Sequence, residues 1–268
     1  MRLYLPALLT LFLFVSPNVF AQDTPQKALD SGNEAQAQSL LQEMSTQSDA
    51  EKAVAGLCGL AQLETAKGNI EQSNTYLQQA LEKSPKIDKK KGWAVVISWL
   101  QAENARKMND IAGCKKSLQA MREHLENASK ISPVWKGILE YTTSLVETDN
   151  DDARDAAEAA IEAYNNTKFK FERGMAYLRL ADLEWARDKQ RRAFNYYDDA
   201  IHDFRTDASK AALRKAAQTQ LLIARKKLEA EDLKGAKSRI TIAQKDIEAA
   251  GNPEDLIREF KELESKIQ

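Results

Sequence analysis

Residues 175–204 carry the clearest pattern of apolar and polar positions in the chain. In each half of this stretch, large and small residues recur three and four positions apart, a spacing that puts them on one face of an α-helix. Residues 187–190 between the halves are wholly polar, which favours an exposed turn between two antiparallel helices. The two faces consist of Tyr177, Leu180, Ala181 and Glu184 in the first helix and Ala193, Tyr197, Ala200 and Ile201 in the second.

Weaker copies of this helix–turn–helix unit recur along the chain. In the copy at residues 51–85, Gly68-Asn69 provides the turn and Pro85 ends the second helix. Asn69 is expected to cap that helix, with Gln72 as its reciprocal partner. A small residue opens every second helix, and subtracting their numbers gives intervals of 36, 41, 39, 40 and 43 residues. These residues are Ala37, Ser73, Cys114, Ala153, Ala193 and Ala236.

The string GNIEQSNTYLQQALEKSP, residues 68–85, resembles a tetratricopeptide repeat. Glu64 and Glu184 stand where that family often has Tyr, Ser73 stands where it has Ala, and the family's period is shorter, about 34 residues. A looser relative built from helical hairpins therefore stays open. The resemblance implies an all-α fold in which antiparallel helix hairpins stack as a right-handed α-solenoid, with a concave surface that holds a peptide.

Residues 1–21 differ from the rest of the chain and are typical of a signal peptide. Arg2 precedes an apolar run at residues 3–15, and Val19 and Ala21 are the small residues expected before a cleavage site after Ala21. A membrane anchor is the alternative, but the run is shorter than the roughly 18–20 residues that span a bilayer. The expected location is periplasmic or secreted, without membrane insertion after cleavage. Residues 22–50 then form a leader and half repeat, residues 51–250 the repeats, and residues 251–268 a C-terminal capping helix.

Composition agrees with a folded helical chain. The 268 residues include only 10 Gly and 6 Pro, and 39 basic against 40 acidic residues give a net charge of −1. The charges are interspersed, so the chain lacks the basic footprint of a nucleic-acid binder. Cys58 and Cys114 are the only cysteines. Two buried free thiols are favoured over a disulfide, although an oxidising compartment would permit a bridge.

No constellation of residues predicts catalysis. The chain has no HExxH, no phosphate-binding glycine loop and no paired-cysteine metal motif. The acidic turn at residues 149–152 could suggest a calcium loop, but Ala153 and Arg154 follow where a ligand and a sharp Gly turn are required, so helix capping is favoured. We therefore expect no enzyme, no metal and no cofactor.

Tryptophans on a second stripe of the first helices suggest a binding surface. Interfaces are enriched in this residue type, and the stripe of residues 178, 182 and 185 should face the groove. Trp99 and Trp135 fall on equivalent stripes, although their repeat register is undefined and a core position is the alternative. The groove candidates are Trp99, Arg106, Trp135, Leu178, Asp182, Trp185 and Arg225.

Three functions follow from this pattern. The first is an exported scaffold resembling tetratricopeptide-repeat proteins that binds a protein or peptide in the cell envelope. The second is a structural subunit of an envelope complex, held through its convex face or its terminal helix. The third, an envelope enzyme with a helical superstructure, would need a deep pocket with a perturbed carboxylate or histidine. The sequence specifies neither the partner nor the oligomeric state.

Overall fold

In a computed structural model of the chain, the described residues are 25–129 and 132–267. The signal peptide expected at residues 1–21 lies outside these ranges. The described residues form α-helices and short turns, with two 3₁₀ segments and no strand, so the all-α class and the repeat of helix hairpins are confirmed. The helices are α1 (Pro25–Asp30), α2 (Glu34–Ser45), α3 (Ala50–Lys67), α4 (Ile70–Lys83), α5 (Trp93–Lys107), α6 (Ile111–Asn127), α7 (Val134–Val146), α8 (Asn150–Tyr164), α9 (Lys170–Ala186), α10 (Gln190–Asp207), α11 (Lys210–Glu229), α12 (Leu233–Ala249) and α13 (Glu254–Ser265).

The chain divides into two units after residue 146. In the first unit, α3 packs on α4 and α5 on α6, and α2 covers α3. In the second unit, α9 packs on α10 and α11 on α12, while α13 contacts both α11 and α12. Each helix thus packs mainly on its neighbours in the sequence, as expected for hairpins that bury their apolar faces against one another.

The small residue predicted to open each second helix has the same place in all six copies. It is the fourth residue of α2, α4, α6, α8, α10 and α12, and in every copy it is at most 1% exposed. A small side chain at this position lets the facing helix approach closely. The spacing predicted from the sequence is therefore confirmed.

Five of the hairpin turns share one backbone geometry. A residue with positive φ precedes the second helix, and the next amide donates to the carbonyl five residues back at 2.7–2.9 Å, as in a Schellman motif. These residues are Gly32, Gly68, Asn109, Asp188 and Glu231, with φ values of 77°, 88°, 60°, 57° and 59°.

Two expectations about helix caps have different outcomes. The predicted capping box of Asn69 and Gln72 is wrong, because the Asn69 side chain makes no cap hydrogen bond and instead donates to Glu64 Oε2 at 2.7 Å. Asp149 does cap α8. Its carboxylate accepts hydrogen bonds from the amides of Asp151 and Asp152, which lowers the pKa of Asp149.

Candidate peptide-binding surface

Trp99 and Trp135 lie in the core of the first unit. Their ring centroids are 5.7 Å apart in an edge-to-face arrangement, and the two residues are 5% and 0% exposed. Ten of the fifteen residues of α5 are buried, so this helix is covered over most of its circumference. The two indoles therefore offer no surface to a peptide, and the expectation that they line a groove is corrected to the core alternative.

Arg106 is already paired within its own helix. Its Nε and Nη2 atoms donate to the two carboxylate oxygens of Glu103 at 3.2 and 2.8 Å. This fork-to-fork pair uses the geometry with which Arg would recognise a carboxylate on a ligand. Arg106 thus already has a carboxylate partner within the first unit.

The predicted stripe on α9 is present in the second unit. Leu178 and Trp185 are half-buried against a core that includes Ala181 and Tyr197, while Asp182 between them is exposed. The Tyr197 hydroxyl donates to Asp182 Oδ1 at 2.5 Å. Burial, together with this bond and the charge of Asp182, raises the pKa of Tyr197. The carboxylate is thereby held in place on the exposed side of the stripe.

Two neighbouring helices fix the indole of Trp185. The Phe194 ring on α10 meets it edge-to-face, with centroids 5.6 Å apart. From α11, the Lys226 ammonium lies over the indole, 4.0 Å from the ring centroid, a cation–π contact. Sequence reasoning missed Lys226, because it lies 41 residues beyond Trp185 and only the stacking of the hairpins brings the two together.

Arg225 lies on a different side of α11 from Lys226 and contacts α13. Its guanidinium pairs with Glu259 of α13 at 2.5 Å. Arg214, three turns earlier, pairs in the same way with Asp255 of α13. Arg225 therefore ties α11 to the terminal helix, whereas the adjacent Lys226 faces α9.

Two more residues of α11 lie on the same side of the helix as Lys226. Leu222 lies one turn before Lys226, and Lys215 lies three turns before it, so all three share one side of the helix. Each is half-buried. We call the following set the α9–α11 surface: Leu178, Asp182, Trp185, Lys215, Leu222 and Lys226.

Burial lowers the pKa of both lysines on this surface. For Lys226, the charges of Asp182 and Glu229 offset only part of the effect, and for Lys215 the neighbouring Arg214 adds to it. Neither ammonium forms an ion pair within the described part of the chain. The α9–α11 surface thus combines apolar side chains with two desolvated cations.

Comparison with known proteins assigns the chain to no family. No protein-family model matches the chain, and no curated protein is detectably similar to it in sequence. Within residues 25–129 and 132–267, no group of three or more His, Cys, Asp or Glu side chains is placed to hold a metal ion. In the same ranges no helix has the length and apolar character needed to cross a bilayer.

Proposed function

We propose that this chain is an exported helical-repeat scaffold that binds a protein or peptide partner in the cell envelope through the α9–α11 surface. The observation that carries the proposal is the half-buried indole of Trp185, held by Phe194 and Lys226 beside an exposed carboxylate. A large aromatic surface that is already fixed in place loses little conformational entropy on binding. Export is inferred from the sequence of residues 1–21.

The alternative of a structural subunit would be favoured by an exposed apolar stripe on α13. Leu256 and Leu263 of that stripe are only 1% and 3% exposed. Ile257, Phe260 and Ile267 pack against the same core. The stripe thus holds α13 onto α11 and α12, so it does not favour docking of another subunit. That the chain is not an enzyme stays a prediction.

The proposal is tested by replacing Trp185 with Ala and recovering crosslinked partners from an envelope extract. We expect the variant to lose partners that the wild-type chain retains, because Trp anchors carry much of the energy of an interface. Met108→Ala is the matched control, since Met108 is a 51% exposed apolar residue in the first unit. Equal recovery by Trp185→Ala and the wild type, with unchanged helicity and thermal unfolding, would contradict the proposal.

A further inference from the structure

The charge of α11 suggests what chemistry a partner brings to this surface. The helix contains six basic residues and one acidic residue, Glu229, which makes it strongly positive. By contrast, α13 contains five acidic and two basic residues. The excess of positive charge on α11, beside the apolar side chains of the α9–α11 surface, favours a negatively charged ligand.

Most of this positive charge is neutralised inside the second unit. Arg214 and Arg225 pair with α13, and Lys227 pairs with Asp232 in the turn that follows. Lys210 is exposed at the first position of the helix. Lys215 and Lys226 remain as half-buried cations that form no ion pair with the described residues.

A half-buried ammonium without a counter-ion is an unfavourable arrangement, because it has lost part of its hydration without gaining a charged partner. The Trp185 ring compensates Lys226 in part. Asp182 does not come within ion-pair distance of Lys226, and its carboxylate already accepts the hydrogen bond from Tyr197. A partner that placed one carboxylate beside each lysine would supply the missing counter-ions through charge-assisted hydrogen bonds.

The distance between the two lysines determines how far apart the two carboxylates of the partner must be. Eleven residues of α-helix rise about 16 Å, so the two ammonium groups start from points about 16 Å apart on one side of α11. In an extended peptide every second side chain points to the same face, so two carboxylates four residues and about 13 Å apart can both face α11. The long lysine side chains can lean toward each other over the remaining few ångströms. Leu222 and Leu178 lie between and beside the lysines, which suits an apolar side chain between the two acids.

This inference rests on the function proposed above. We propose that the α9–α11 surface binds an extended acidic segment whose two carboxylates, four residues apart, engage Lys215 and Lys226. The apolar side chain midway between them covers Leu222.

The test uses a fluorescent pentapeptide, Glu-Ala-Leu-Ala-Glu, and the same peptide with both Glu replaced by Gln. We expect the full chain to bind the Glu peptide saturably and at least tenfold more tightly than the Gln peptide. Lys215→Gln and Lys226→Gln should each weaken binding about fivefold, and Lys226→Arg should restore it, because the effect depends on charge. Lys237→Gln, an equal loss of charge at an exposed position of α12, should leave binding unchanged.

Absence of saturable binding would overturn the inference, as would equal affinity for the two peptides or insensitivity to both lysine variants. A DNA oligonucleotide or phosphatidylglycerol vesicles are the competing anions. Tighter binding of either one through the same lysines would also overturn it.

If the Trp185→Ala variant loses its partners while the lysine variants keep theirs, the proposed function stands and the acidic partner fails. If only the lysine variants lose the Glu peptide and Trp185→Ala keeps its partners, the acidic site stands and the proposed function fails.

Discussion

The side-chain amide of Asn104 donates a hydrogen bond to the Ser73 hydroxyl at 2.8 Å, although 31 residues separate them. Thr65 closes a ring of hydrogen bonds among the three side chains. Its hydroxyl donates to Asn104 Oδ1 at 2.7 Å and lies 2.8 Å from Ser73 Oγ. The second amide hydrogen of Asn104 is donated to Asn74 at 2.7 Å. Ser73 occupies the place of a buried Ala in four of the other five copies and of Cys114 in the fifth. This ring of hydrogen bonds satisfies its hydroxyl.

Replacing Ser73 with Ala should destabilise the chain by about 1–3 kcal/mol, since one amide hydrogen of Asn104 loses its acceptor in the core and Thr65 loses its bond to Ser73. The measurement is urea unfolding followed by circular dichroism. Ser39→Ala, which removes an exposed hydroxyl from α2, should change the free energy of unfolding by less than about 0.5 kcal/mol. Equal stability of the Ser73 variant and the wild type would show that the ring contributes nothing.

Glu231 adopts a left-handed conformation, with φ of 59°, in the turn between α11 and α12. Glycine adopts this conformation without strain, so Glu231→Gly should stabilise the chain by about 0.5–1 kcal/mol. In the interior of α12, Lys245 is exposed, and Lys245→Gly should destabilise the chain by about 1 kcal/mol because glycine disfavours a helix interior. Thermal unfolding of the two variants should therefore shift in opposite directions. Shifts in the same direction would contradict the turn geometry.

Cys58 on α3 and Cys114 on α6 are free and buried, which confirms the favoured interpretation of the two cysteines. Burial raises the pKa of both thiols, to about 11 for Cys114. The reactive thiolate is thus scarce at pH 8. We expect almost no labelling by Ellman's reagent in the folded chain and labelling of both thiols in urea. Rapid labelling of the folded chain at pH 8 would show that these helices open readily.

The repeat interval illustrates how far the pattern of the chain reaches into the tertiary structure. The small residues that open the second helices are 36–43 residues apart, which predicts the length of one repeat. Ion pairs between neighbouring hairpins of the second unit have the same offset: Arg205 pairs with Asp246, and Asp198 with Arg239, each 41 residues apart. An offset near one repeat is expected when equivalent helices of successive hairpins lie side by side.

Local periodicity alone predicted the second helix of each hairpin, the hairpin turns and the stripe of Leu178, Asp182 and Trp185, because each depends on residues within one or two turns of helix. It did not distinguish the buried indoles of Trp99 and Trp135 from the half-buried indole of Trp185. Burial depends on which helices cover a side chain, and those helices lie far away in the sequence. For the same reason, only the packed second unit placed Lys226 over Trp185 and left Lys215 without an acidic neighbour.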